Sequence, residues 1–162
     1  MKKKTTTDRY CRRAVALVAA GLLLVGCSGE PEEPLQPGEA QYAQYCSACH
    51  ARDGSGRPPT FPPLAGSEWL ELGPEAVSLI VLLGLRGEIE VAGRTYRGYM
   101  PNMRQLNDTE IKLILDYIDR QWADWARVPA TEDIVALRAR IADEPLLESR
   151  EALERLLDEV AP

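Results

Sequence analysis

The chain has 162 residues, a net charge of −6, four cysteines and a single histidine. That length suits one domain with terminal segments to spare, enough to bury a core. The acidic excess argues against a nucleic-acid partner and for a protein partner with a basic docking face.

Lys2, Lys3, Lys4, Arg9, Arg12 and Arg13 precede an apolar run of thirteen residues from Ala14 to Gly26. A basic start followed by about 7–15 apolar residues is the pattern of a secretory signal peptide, whereas a membrane-spanning helix needs roughly 20. Leu24-Val25-Gly26-Cys27 resembles the bacterial lipoprotein box, which implies removal of residues 1–26 and acylation of Cys27 as a lipid anchor. An ordinary signal peptide cut at a nearby small residue is the alternative. Ser28, where Asp could stand, points to the outer membrane. The protein is thus expected on the periplasmic or extracytoplasmic face of a bacterial membrane. The remaining chain keeps thirteen basic residues against twenty-four acidic ones, a net charge of −11.

Residues 27–38 form the acylated Cys and a tether, in which Pro31, Pro34, Pro37 and three Glu leave hardly any apolar residue. Such a segment stays extended at roughly 3 Å per residue and lifts the folded domain off the membrane. Glu39 to Cys49 is expected as a short helix with Tyr42, Tyr45 and Cys49 on one side. Ala51 to Ala65 holds Gly54, Gly56, Pro58, Pro59, Pro62 and Pro63, the composition of a loop wrapped around something. Gly73 and Pro74 open a second helix through Leu83, with Gly84 and Gly87 as exits. Glu88 to Arg97 alternates around Ala92 and Gly93 as a small hairpin. Asn107 and Glu110 form a capping box for a third helix with an apolar stripe of Ile111, Ile114, Leu115, Ile118 and Trp122. Thr131 caps a fourth helix carrying Ile134, Leu137 and Ile141, and Pro145 separates it from a fifth over Leu146 to Val160.

With Cys11 in the signal segment and Cys27 lipidated, Cys46 and Cys49 are left for the folded domain, and their default fate outside the cytoplasm is a disulfide. Cys46-Ser47-Ala48-Cys49-His50 is instead the attachment pattern for haem c. Thiols three residues apart share one face of a helical turn and can form thioethers to two haem vinyl groups, and the following imidazole reaches the iron. A thioredoxin-like site would need alternating strands and helices around it. A zinc site would need a fourth ligand and a strained Cys-His neighbour pair. His50 is the only histidine, so the other axial position falls to a thioether, from Met100 or Met103. Pro101 biases Met100 toward an extended backbone in a loop; either Met could instead fill a core gap.

These residues resemble a class I c-type cytochrome, in particular the single-haem domains associated with bacterial dehydrogenases, terminal oxidases and copper nitrite reductases. The matching pieces are Gly38 with Tyr42, Cys46 to His50, Phe61 to Ser67, the run Gly93 to Pro101 with Tyr96 and Gly98-Tyr99-Met100-Pro101, Leu106-Asn107-Asp108, and Thr131 to Arg138. They span about residues 38 to 140. Ala51 departs from the Gly or Gln often found there, and Ala142 to Pro162 has no counterpart.

The resemblance implies an all-α protein: a cytochrome c fold of three core helices around one covalent haem c, a small hairpin and extra C-terminal helices. Its domain would cover residues 39–126, with a helical extension over 127–162. It further implies attachment by Cys46 and Cys49, axial ligation by His50 and Met100, a Pro62 carbonyl accepting from the other His50 nitrogen, and Leu64 packed on the haem. Trp69, Tyr96 and Arg94 become candidates to hold the propionates. A six-coordinate iron offers no site to a substrate, so the expectation is a single-electron carrier and not an enzyme. The alternatives are a fixed haem subunit of an oxidase, reductase or dehydrogenase complex, and a haem gas sensor or peroxidase with an open distal site.

Overall fold

Local signals make the helices, and a few close approaches decide how they meet. The computed structural model describes residues 35–161, so the expectations for residues 1–26, for Cys27 and for most of the tether fall outside the described residues. Helices α1 (Glu39–Tyr45) and α2 (Ser47–His50) replace the single helix expected through Cys49. The break is Cys46, at φ −115°, ψ −38°. Its amide still bonds to the Tyr42 carbonyl at 2.9 Å, while its carbonyl takes the amides of Cys49 and His50 at 3.1 and 2.9 Å.

A 3-10 turn (Leu70–Leu72) leads into α3 (Pro74–Leu83), which begins at Pro74 and ends at Gly84. Ala76 through Leu83 are all buried, so this part of α3 is buried on every side in the core, with its one polar side chain, Ser78, donating back to the Pro74 carbonyl at 2.7 Å. Strands β1 (Leu85–Val91) and β2 (Arg94–Met100) follow as an antiparallel hairpin that pairs Leu85 with Met100 and Ile89 with Tyr96. The hairpin begins one residue after α3, so Gly87, expected as a helix exit, lies inside β1. The all-α class expected is therefore corrected to a mixed α and β architecture, because the sheet is seven residues long on each strand and walls the core. Only the alternation nearest the turn is visible in the sequence, since Gly87 and Gly98 interrupt its period.

Helix α4 (Asp108–Ile118) carries the capping box: Asn107 Oδ1 accepts from the Glu110 amide and Glu110 Oε2 from the Asn107 amide, both at 2.9 Å. Ile111, Ile114, Leu115 and Ile118 are buried. A π-helical turn (Asp119–Ala123) widens the helix and turns Trp122 out of that stripe, over Gly54 and against Tyr42 and Tyr117 at ring separations of 5.2 and 5.9 Å. Helix α1 crosses α4 closely: a Cβ on Gly38, which has φ +85°, would lie 2.0 Å from the Leu113 carbonyl oxygen. Only glycine meets both demands.

Helix α5 (Thr131–Arg140) is capped one residue earlier than expected, at Ala130, whose amide donates to Asp133 at 2.9 Å. Ser149 caps α6 (Arg150–Val160), four residues later than the expected start of the last helix. The stretch before it is extended, and Leu147 bridges β1 at Leu85, with the Arg86 amide donating to the Leu147 carbonyl at 2.9 Å. Ile134, Ile141, Leu147, Leu153 and Leu156 join the same buried cluster as α3 and α4. No helix among the described residues is long and apolar enough to cross a membrane.

Candidate functional site

The loop after α2 is built to place one carbonyl. Gly54 accepts from the Leu64 and Ala65 amides at 2.8 and 3.0 Å, and Arg57 and Phe61 exchange backbone bonds of 2.9 and 3.0 Å, so the chain doubles back toward His50. A Cβ on Gly56, at φ +70°, would stand 2.6 Å from the Pro62 carbonyl. With glycine there, Pro62 O comes to 3.0 Å from His50 Nδ1. An Nδ1–H donor at that distance leaves Nε2 with its lone pair free. Burial holds His50 below its ordinary pKa, partly opposed by that carbonyl, so the neutral imidazole that a metal requires is favoured.

Ala51, just after His50, takes φ +61° and ψ 164°, a conformation glycine would adopt without strain. The buried Tyr42 hydroxyl donates to its carbonyl at 2.7 Å and holds it there. Burial pushes the Tyr42 hydroxyl well above its ordinary pKa, with the nearby Cys46 adding to the effect. The departure at Ala51 thus has a specific tether from α1.

His50 lines an apolar cavity in two adjoining lobes, which with the space where they open to solvent amount to about 900 and 640 Å³. Both lobes are lined by Cys46, His50, Pro62, Val81, Leu85, Ile89 and Met100. Cys49 and Met103 reach the larger lobe only; Leu64 and Trp69 reach the smaller. The hairpin lays one face over the space: Leu85, Gly87 and Ile89 from β1, and Tyr96, Gly98 and Met100 from β2, all line the larger lobe. Met100 is the last residue of β2, so the loop position expected for it is corrected to a strand end, with the extended backbone that precedes a proline.

Of the propionate candidates, Trp69 is buried with its indole Nε1 donating to the Glu90 carbonyl at 2.8 Å, and Tyr96 is buried on the larger lobe. Arg94 is exposed beside the hairpin turn and lines neither lobe. Sequence reasoning passed over Leu85 and Ile89; their period-two placement opposite Met100 and Tyr96 was the available signal.

The chemistry of the donors separates the alternatives. Burial, with the Cys49 thiol beside it, pushes the Cys46 thiol up to about 12, so the site favours a neutral sulfur over a thiolate. A thioether is neutral; a zinc-bound cysteine is not. Among the described residues no group of three or more His, Cys, Asp or Glu side chains is placed to hold a metal ion. Cys46 and Cys49 do not form a disulfide. An apolar slot lined by one imidazole, two methionines and two cysteines fits an iron porphyrin.

Residues 33–118 match the family model described as cytochrome c oxidase, cbb3-type, subunit III. The chain belongs to this family of c-type cytochromes. It is also 44% identical over 101 residues to cytochrome c-552 of Thermus thermophilus, a match covering 57% of this chain and 77% of the relative. A second cytochrome c-552, from another strain of Thermus thermophilus, is likewise 44% identical over 101 residues, covering 57% of this chain and 68% of that relative. With a single Cys-x-x-Cys-His pattern in its sequence, the protein is a mono-haem c-type cytochrome. Its cofactor is covalent haem c, and its chemistry is haem-based electron transfer.

Proposed function

We propose that this cytochrome is a single-electron carrier whose haem c is attached through Cys46 and Cys49 and ligated by His50 and Met100. The observation that carries the ligand pair is that both side chains line both lobes of the cavity, whereas Met103 lines one. Haem c, once bound, supplies an Fe(III)/Fe(II) couple. The chain's own residues do the rest. The Pro62 carbonyl fixes the imidazole plane and raises the basicity of its free nitrogen. Val81, Leu85 and Ile89 keep water from the slot, and Leu64 packs the smaller lobe. A neutral thioether opposite the imidazole favours the reduced iron and a raised potential, within the ~0.8 V that axial ligands span.

An optical redox titration tests this reading. One wave with the slope of a single electron is expected, with the reduced protein binding carbon monoxide only slowly; rapid carbon monoxide binding without denaturant would favour a gas sensor or peroxidase instead.

The partner is read as a redox protein with a basic docking face, drawn by the acidic chain. The Pro/Glu tether favours a carrier that roams on a lipid anchor at Cys27, on the extracytoplasmic face of a bacterial membrane and, from Ser28, the outer one. A fixed place in a respiratory complex is the second reading, favoured by the family description as an oxidase subunit. Cys27→Ser is expected to release haem-bearing protein from the membrane fraction; tight residual binding on fractionation would point to an uncleaved apolar segment. Co-purification of a partner from solubilised membranes separates the roaming carrier from the fixed subunit.

A further inference from the structure

The turn after Met100 is gripped by the C-terminal helices. Arg138, on α5, donates from Nε to Asp108 at 2.8 Å, from Nη1 to the Arg104 carbonyl at 3.1 Å and from Nη2 to the Leu106 carbonyl at 2.9 Å. Arg104 answers in the other direction. Its guanidinium donates to the carbonyls of Ala142, Ile141 and Glu144 at 2.9, 3.1 and 2.8 Å, just past the end of α5. Each arginine therefore satisfies carbonyls of the segment that carries the other. The three Arg138 bonds and the Arg104 bond to Ile141 are part-buried, which limits competition by water, whereas the Arg104 bonds to Ala142 and Glu144 are exposed.

Besides these bonds, the turn is held by the buried Leu106 side chain, by Met103 packed against the core and by a few local bonds, among them the Arg104 amide to Asn102 Oδ1 at 3.4 Å. Among the loop backbone bonds, the Met103 amide donates to the Val81 carbonyl at 2.8 Å and the Leu106 amide to the Met103 carbonyl at 3.0 Å. The C-terminal segment also pairs with β1, since Leu147 bridges Leu85, the cross-strand partner of Met100. Arg138 lines neither lobe of the cavity, so any effect on iron ligation must pass through the turn.

We propose that Arg138 is a positioning residue for Met100, holding residues 104–106 against α5 so that the end of β2 keeps its thioether on the iron. This rests on the reading of Met100 as the axial ligand. A thioether is a weak, uncharged ligand, so local opening of the segment that carries it competes with the iron–sulfur bond, and short segments with few backbone bonds open at low cost. Arg138 suppresses that opening by spanning three acceptors with one planar fork, which the single ammonium of lysine cannot do.

The test uses the haem-loaded protein and compares two melting curves: the sulfur-to-iron charge-transfer band of the oxidised form and the far-ultraviolet circular dichroism. In the parent both are expected to fall together. In Arg138→Ala the band should fade at a clearly lower temperature than the helical signal, and the reduced protein should bind carbon monoxide at least tenfold faster; Arg138→Lys should fall between. Should Arg138→Ala not accumulate as a haem protein, Arg104→Ala breaks the same grip from the opposite side and is read in the same way. Coincident melts together with a carbon monoxide rate within twofold of the parent would overturn the proposal, since a purely structural arginine lowers both curves equally. A band that survives in Met100→Ala would overturn the ligand assignment itself, and the positioning role with it.

Discussion

Replacing Cys46 and Cys49 together by alanine is expected to abolish haem staining on a denaturing gel, the largest single effect that any substitution in this chain should produce. Thioethers survive boiling in detergent, whereas axial bonds from His50 and a methionine do not, so the stain reports covalent attachment alone. The same change should lower the melting temperature. A ligand present at a hundred times its dissociation constant adds about 2.7 kcal/mol to the folded state, and covalent attachment keeps the slot filled beyond that. The apolar cavity between α2, α3 and the hairpin has no side chain to fill it in the absence of the cofactor. An undiminished stain in the double variant would refute the attachment site.

Met100→Ala is expected to remove the sulfur-to-iron charge-transfer band, lower the reduction potential and open the reduced iron to carbon monoxide. Met103→Ala should leave all three as they are and cost about 1–3 kcal/mol of packing, because Met103 is half-buried against the core. The contrast comes from placement. Met100 ends β2 on the face that looks into both lobes, while the Met103 amide is tied to the end of α3 at Val81 and its sulfur lies 3.6 Å from Gln105 Nε2. Loss of the band in the Met103 variant and its survival in the Met100 variant would reverse the assignment without touching electron transfer.

The acidic excess that suggested a basic partner is distributed unevenly. Residues of the loop and hairpin around the larger lobe include Arg57, Arg86 and Arg97, of which Arg86 pairs with Glu148 and Arg97 with Glu88. These are exposed pairs, and such pairs add little to stability.

Much of the site was legible because its chemistry is local. Two thiols and an imidazole within five residues need no tertiary contact to declare a haem, and the capping box at Asn107 and Glu110 declares α4 from side chains three residues apart. The break at Cys46 was not legible, because the residues around it have helical spacing on both sides and the change of direction answers to the loop that must deliver the Pro62 carbonyl. Nor was the delayed start of α6, since Leu146 to Glu148 has an apolar pattern compatible with helix and is drawn out by its backbone bonds to β1.

By itself the sequence determined the cofactor and the existence of most of the helices, and it narrowed the proposed axial ligands to His50 and two methionines, since each comes from residue types at fixed short spacings. Only the tertiary structure decided that the hairpin is a full wall of the cavity, which methionine looks into both lobes, and that the C-terminal helices reach back to the turn after Met100. Those outcomes depend on strand register and on which carbonyls lie within reach of Arg104 and Arg138, contacts between residues more than thirty positions apart, and no local pattern of side chains encodes a distance of that kind.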